Sequence, residues 1–270
     1  MKIFGIMVVK NEADIIGPCL DALSTWIDKV FVLDNGSSDG TWEIVNEKAS
    51  DIVMPYRQDF GPFRRSLRAE IFNHYRAIAK DGDWWYIADS DEFLVSDPRD
   101  FLSRVPSRYH VVYKKSIDYV LTESDVSNHE FTGDFERDKP NFIHILPRCW
   151  SEQRFFRYRS RMKWGLLDDK PAHIGLAYPE TLPVRHYQCR SPEQMQKRID
   201  VRLKIPRDKT GRPFRHVTQT GWRELLQTEA SVLADPGEAG YHDLLLSRRI
   251  RPSVVKYVLK RVLHGLRILP

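Results

Sequence analysis

The run Trp84-Trp85-Tyr86-Ile87-Ala88-Asp89-Ser90-Asp91-Glu92-Phe93 places three acids within four residues, directly after an apolar and aromatic stretch of strand length. A buried strand cannot keep such a cluster, because an unpaired carboxylate in the interior is very costly. Two carboxylates at one strand end, Asp89 and Asp91, can instead hold a hard divalent cation, and that cation can hold a diphosphate. In open α/β sheets, ligands bind outside the carboxyl ends of the strands. A strand followed by a solvated acidic turn has the same local sequence, so the rest of the chain must separate the two readings.

The elements that would position these acids are legible in the first half. Lys2–Val9 is a continuous apolar run, as expected of a strand buried on both faces in a parallel sheet. Asn11 is placed to cap a helix whose apolar residues Ile16, Leu20, Leu23 and Ile27 have helical spacing. Lys29–Leu33 is a second strand and ends in the dense turn signal Asp34-Asn35-Gly36-Ser37-Ser38-Asp39-Gly40, with Asp39 as the expected cap of a helix carrying Trp42, Ile44 and Val45. Asp51–Met54 is a third strand, and Pro62 suits the first turn of a long helix through Leu67, Ile71, Tyr75 and Ile78. Trp84–Ala88 is the fourth strand. This alternation predicts an α/β fold with a mostly parallel central sheet and right-handed crossovers.

The second half is less regular. A short helix is expected after Asp97-Pro98, strands at Tyr109–Tyr113, Phe142–Leu146, Phe155–Tyr158 and Leu182–Tyr187, and loops over residues 122–141. Ser191-Pro192-Glu193-Gln194 is a helix start, with a cap, a Pro at the first position and a capping-box Gln.

Four features line up. The first strand ends in Val8-Val9-Lys10-Asn11-Glu12, the second in Leu33-Asp34-Asn35-Gly36-Ser37-Ser38-Asp39-Gly40-Thr41, and the fourth in Asp89-Ser90-Asp91-Glu92; His186-Tyr187 stands at a later strand end. This set resembles the family 2 glycosyltransferases of GT-A fold, especially their compact bacterial branch. The resemblance covers residues 1–95 well and about 180–200 more weakly. It implies a nucleotide-diphospho-sugar transferase fold. It further implies that Val9, Lys10, Asn11, Glu12 and Asp34 meet the base and ribose of a nucleotide-sugar donor, by default a UDP-sugar. One of Arg64, Arg65 and Arg68 is expected against the base or diphosphate, a task that suits a guanidinium.

By the same resemblance Asp91 binds Mn²⁺ or Mg²⁺, Asp89 contacts ribose or metal beside Ser90, and His186 completes the metal site. A metal there neutralises the leaving nucleoside diphosphate. Glu92 either orients the acceptor or pairs with a basic neighbour. Inversion, the expected outcome, needs a carboxylate to take the acceptor's proton from the opposite face. Asp168 or Asp169 is expected in that role, with Glu180 also present, and the family's frequent Glu-Asp pair has no obvious counterpart. Trp150 and Trp164 are either core aromatics or platforms for sugar rings.

Length and composition suit one large domain or one domain with an appendage. The 270 residues include 41% hydrophobic and 29% charged residues, enough for a sizeable core. The expected division is 1–243 for the transferase domain, with 1–95 its nucleotide half and 96–243 its acceptor half, and 244–270 an appended basic amphipathic helix. Cys19, Cys149 and Cys189 are widely spaced, as in a reducing compartment. The N-terminal apolar run is too short to span a membrane and lacks a cleavage site, so a cytoplasmic protein is expected.

The net charge of +5 is concentrated in Arg248, Arg249, Arg251, Lys256, Lys260, Arg261 and Arg267, with no acid from 248 to 270. Val255, Val258, Leu259, Val262, Leu266 and Leu269 form an apolar stripe in that tail. The stripe either packs on its own domain or meets the anionic inner leaflet, which would suit a glycan or lipid-linked acceptor in surface polysaccharide or lipopolysaccharide synthesis. Charge confined to the tail argues against a nucleic-acid-binding module. A metal-dependent nucleotidyltransferase would carry a Gly-rich basic loop after the first strand, which Lys10-Asn11-Glu12 is not.

Overall fold

The computed structural model describes residues 1–64, 66–204, 218–246 and 254–269. Its first half is a parallel ladder in the order β3-β2-β1-β4, built from β1 (Ile3–Val9), β2 (Lys29–Asp34), β3 (Val53–Gln58) and β4 (Trp84–Ala88). Side-chain alternation decides which layer each residue joins. Ile3, Met7 and Val9 of β1 and Trp84 and Tyr86 of β4 face one side, where α1 (Ile16–Ser24) and α2 (Thr41–Glu47) pack. Phe4, Ile6, Trp85 and Ile87 face the other, against Leu67, Ile71 and Phe72 of α3 (Ser66–Tyr75).

The second half continues the sheet with antiparallel partners. After β5 (Glu92–Leu94) and α4 (Pro98–Arg104) comes β6 (Val111–Val120), then the short helices α5 (Glu123–Asn128) and α6 (Phe135–Asp138), β7 (His144–Ile145) and β8 (Arg148–Arg157). β8 pairs antiparallel with both β4 and β6, joining the halves. β9 (Ala177–His186) runs parallel to β6 and antiparallel to β5. α7 (Pro192–Lys204), β10 (Leu233–Ala234), α8 (Gly237–Gly240), β11 (Leu245–Leu246) and α9 (Val254–Gly265) follow. A third cluster, including Ile117, Tyr119, Phe135, Phe142, Tyr187 and Met195, fills the end of the sheet beyond the parallel half. Among the described residues no helix is long and apolar enough to cross a membrane.

Several boundaries differ from the sequence expectation. α1 begins at Ile16 with no side-chain cap. Asn11 instead adopts φ 54°, and its Oδ1 accepts from the Ser38 amide at 2.9 Å. α3 starts at Ser66, four residues past Pro62, and ends at Tyr75 before a single 3₁₀ turn. Residues 122–141, expected as loops, hold α5 and α6, because Thr122 and Asp134 cap them. β6 runs well past Tyr113, since Lys114, Ser116 and Asp118 interrupt the apolar pattern without interrupting the ladder. Pro252, expected to open the last helix, lies outside the described residues. All three cysteines are free and buried.

Where β6 begins, His110 Nδ1 accepts the Leu176 amide at 3.2 Å, which requires the neutral ring. Gly175 makes this approach possible: at φ 106° its missing Cβ would stand 2.4 Å from His110 Nδ1. Burial, helped by Arg159, His264 and Arg157, depresses the His110 pKa to about 3. The unfolded chain therefore binds a proton that the folded one refuses, and this part of the stability is lost as pH falls from about 6.5 toward 3. His110→Asn keeps an acceptor and removes the titration. Urea unfolding across that window should give the variant the flatter pH dependence, with a difference of roughly a few kcal/mol by pH 4; parallel curves would refute the assignment.

Candidate active site

The ends of β1, β2 and β4 open onto one cleft of about 780 Å³, closed on the far side by β8, β9 and α7. Val9, Lys10, Asn11 and Glu12 line it from the β1 end. Lys10 Nζ donates to the Asn35 carbonyl at 2.8 Å, and the Asn11 amide donates to Ser37 Oγ at 2.8 Å, so the β1 and β2 loops are stitched together. Asp34 is fully buried behind this wall. Its Oδ1 accepts from the Gly36 and Ser37 amides, both at 2.9 Å, and caps the turn. Asn35 and Asp39 are the β2-loop residues on the cleft wall. The Asn35 amide nitrogen is held by the Asp59 and Gly61 carbonyls at 2.9 Å, which leaves its Oδ1 buried and unpartnered.

The β4 end carries Asp89, Ser90, Asp91 and Glu92, all on the cleft. Asp89 is gripped by two guanidiniums, Arg68 Nη2 on Oδ1 at 2.7 Å and Arg154 Nη2 on Oδ2. Burial opposes its ionisation, but Arg154 and Arg68 outweigh that and lower its pKa to about 2. Glu92 lies deeper and is bound to the fully buried Lys114 and, at 2.7 Å, to Arg154. Glu92 thus pairs with basic neighbours, the second of its two expected roles.

Asp91 faces His186 across the β5–β9–β6 register, in which Glu92, His186 and Asp118 lie on neighbouring strands. His186 Nδ1 is 2.7 Å from Asp118 Oδ1, and Nε2 is 3.4 Å from Asp91 Oδ2. Burial would favour a neutral ring, yet Asp91 and Asp118 together hold the His186 pKa up at about 9. Arg198 of α7 also reaches Asp91 Oδ2, at 3.0 Å. Burial disfavours the Asp91 anion, but His186, Arg198 and Arg190 outweigh it and hold this carboxyl well below the usual range.

Asp91 and His186 are the two side chains that could hold a divalent cation here, the imidazole only after giving up its Nε2 proton. Asp118 on Nδ1 aims His186 Nε2 at Asp91, the carboxylate–histidine arrangement that orients metal-binding imidazoles. Both oxygens of Asp89 are already engaged by arginines, and no group of three His, Cys, Asp or Glu side chains gathers as a metal site among the described residues. A metal held here would therefore need further ligands from outside the protein.

The other expected residues divide clearly. Arg68 lines the cleft, Arg64 is bound to Asp59 and Glu70 outside it, and Arg65 lies outside the described residues. Asp169 lines the cleft; Asp168 is exposed in the turn that begins at Gly165 and does not. Glu180 is exposed on β9 and accepts from Tyr178, also away from the cleft. Trp150 lines the cleft, and Trp164 is a core residue of the second cluster.

Sequence reading missed Lys114, Asp118, Glu152, Arg154, Lys170, Arg190 and Arg198. Four of these, Lys114, Asp118, Glu152 and Arg154, share the inward faces of two strands whose other faces also carry polar residues, Lys115, Ser151 and Gln153, so no alternation marked them in the sequence. Lys114, Ser116 and Asp118 alternate on β6, and Trp150, Glu152 and Arg154 alternate on β8, with Lys114 opposite Glu152 and Ser116 opposite Trp150. Removing Arg154 leaves Asp89 half-paired and Glu92 dependent on Lys114 alone. Arg154→Met should cost about 3–5 kcal/mol in denaturant unfolding, because it strands buried charge. Arg68→Met, at the partly exposed rim, should cost under about 1 kcal/mol. Equal losses would mean that burial does not distinguish the two pairs.

Residues 6–97 match the model of glycosyl transferase family 2. A TPR repeat-containing protein of Synechococcus elongatus is 31% identical over 90 residues, which is 33% of this chain and 20% of the relative. Among solved structures, S. aureus TarS 1-349 in complex with UDP is similar at 17% identity and TM-score 0.33, covering 44% of this chain and 36% of that one. Mannosyl-3-phosphoglycerate synthase from Rubrobacter xylanophilus is similar at 16% identity and TM-score 0.31, covering 58% and 53%. The chain thus spans a fifth of the curated relative and between a third and about half of these structures. Residues 6–97, the segment that supplies the ends of β1, β2 and β4, are thus the part of this chain that is similar to glycosyl transferase family 2.

Proposed function

We propose that the protein is a metal-dependent glycosyltransferase that moves a sugar, with inversion, from a nucleotide-sugar donor to a glycan or lipid-linked acceptor at the inner face of the plasma membrane. The observation that carries this reading is the convergence of three strand ends on a single cleft, where Asp91 and His186 face each other and Asp118 aims the ring. We assign residues 1–95 to donor binding, 96–243 to the acceptor side and 244–270 to an appended helix.

In this reading the base lies against the β1 and β2 loops. The unpartnered Asn35 Oδ1 is an acceptor for an imino N–H, which a uracil or thymine presents and a cytosine does not. The diphosphate lies toward the cations on the cleft, Arg68, Lys170, Arg198 and Arg202. Among the described residues Lys170 makes no ion pair, and burial depresses its pKa, so an incoming anion relieves a desolvated charge. Asp91 and His186 would hold Mn²⁺ or Mg²⁺, which supplies charge neutralisation for the departing nucleoside diphosphate.

Glu152 is the carboxylate we assign as general base, in preference to Asp168 and Asp169. Glu92 is locked by Lys114 and Arg154, and Asp168 is off the cleft. Asp169 sits on a turn, whereas Glu152 is fixed by the β6–β8 ladder, has one longer ion pair, to Arg154 at 3.4 Å, and remains about one-third exposed. The acceptor hydroxyl attacks the anomeric carbon as the bond from that carbon to the diphosphate oxygen breaks. Its proton passes to Glu152. Trp150 offers an aromatic surface beside that carboxylate for a sugar ring.

A thermal-shift panel of nucleoside diphosphates with and without Mn²⁺ tests the donor site. One pyrimidine diphosphate should stabilise the wild type, by about 2.7 kcal/mol at a hundredfold excess over its Kd. The effect should need Mn²⁺ and vanish in Asp91→Asn; silence from every nucleotide would end the reading. With a donor in hand, Glu152→Gln should lower kcat by about 10²–10⁴-fold at an unchanged donor KM. Near-normal turnover, or a larger loss in Asp169→Asn, would move the base elsewhere.

A further inference from the structure

α9 is attached to the body by the face that its sequence would not select. Tyr257 and His264, seven residues apart and hence on one side of the helix, make the contacts. The Tyr257 hydroxyl is 3.4 Å from that of Tyr109, and the His264 ring lies 4.9 Å from His110. Just beyond the helix, the Arg267 carbonyl accepts from Arg161 at 2.7 Å. Val255, Val258, Leu259, Val262 and Leu266 recur at i, i+3, i+4, i+7 and i+11 and therefore share the opposite face. They are 49–77% exposed. The helix is thus docked, yet its apolar stripe is turned outward and left without a partner among the described residues.

The charge around that stripe selects its occupant. Lys256, Lys260 and Arg267 are exposed on or beside α9. Arg248, Arg249 and Arg251 precede it in the sequence, and no acid occurs from 248 to 270. An apolar stripe flanked by cations alone has the polarity of a helix that lies in the headgroup region of an anionic bilayer. A protein partner or a second copy would have to bring acids to this face, and this helix offers a second copy none. We infer that the outward face of α9 is a docking surface for an anionic lipid bilayer. This inference does not depend on the transfer reaction.

The surface can be tested apart from the cleft. α9 touches the body at Tyr109 and His110, before β6 begins, whereas the cleft residues Glu92 and His186 are held by Lys114 and Asp118 farther along the same strand. The full chain would be sedimented with vesicles of equal parts phosphatidylcholine and phosphatidylglycerol, and with phosphatidylcholine alone. The wild type should bind the anionic vesicles, lose binding in high salt, and ignore the neutral ones. Val258→Asp/Val262→Asp should weaken partition by about tenfold or more, with Tm and nucleotide binding unchanged because both side chains point away from the body. Lys256→Glu/Lys260→Glu should weaken it without touching the apolar stripe.

Two results overturn the inference: no vesicle binding by the wild type, or undiminished binding by the Asp variant. Size-exclusion chromatography covers the other occupant. A wild-type dimer that becomes monomeric in Val258→Asp/Val262→Asp, with no vesicle binding, would assign the face to a second copy. A failed nucleotide panel alongside positive vesicle binding would reject the transferase reading and leave this surface standing.

Discussion

The cleft depends on a buried charge lattice. Lys114 is fully buried and bound to Glu92, Glu92 to Arg154, and Arg154 to Asp89, so charges of alternating sign run from the core to the cleft floor. Lys114 also lies 4.0 Å from the centre of the Trp150 ring, which adds cation–π attraction where water is excluded. Each ion in this chain is tolerable only because the next is present, since the desolvation of any one of them exceeds what a single partner returns. The acids at the end of β4 can therefore stand at the edge of a hydrophobic strand without being expelled into solvent.

That lattice comes from strand register more than from the acidic motif. The run 89–92 was legible because three acids after an aromatic strand are conspicuous, and so were the parallel half-sheet and the loop from Asp34 to Gly40, whose glycines mark the turn. The counter-ions were not legible. Lys114, Asp118, Glu152 and Arg154 lie on β6 and β8 among further polar residues, Lys115, Ser151 and Gln153, and such polar stretches of a strand read as a solvent-facing edge. Only when β8 is placed between β4 and β6 do those polar faces turn inward toward the acids. Asp34 divides its two oxygens: Oδ1 accepts the two turn amides, Oδ2 is buried without a partner, and the next residue, Asn35, lines the cleft.

The cleft is also balanced before any ligand arrives. Asp89 is paired with Arg68 and Arg154, and Asp91 with His186 and Arg198. An anionic ligand entering here shares cations that already have partners. The fixed carboxylates hold these cations in place, so their positions need little rearrangement at the moment of binding. The partly exposed members, Arg68, Asp89 and Arg198, are the ones free to exchange an internal partner for a ligand. The fully buried Lys114 and Glu92 are not, which separates residues that hold the cleft together from residues that can meet a ligand.

Arg190 sits behind this cleft and donates to Glu12 at 2.5 Å and to Asp14 at 2.6 Å, partners 178 and 176 positions earlier in the chain. It is almost wholly buried, so the clasp closes only once β9 has docked beside β6. Such long separations raise contact order, and folding slows as native contacts become less local. During synthesis the β1 loop emerges long before its counter-ion does. Until Arg190 arrives, the Glu12 and Asp14 carboxylates remain hydrated, and the loop between β1 and α1 is held only by its stitches to the β2 loop. The α/β half can thus collapse early while the cleft stays unformed, so the order of translation itself delays the appearance of a competent binding site until β9 and Arg190 have emerged and joined the sheet.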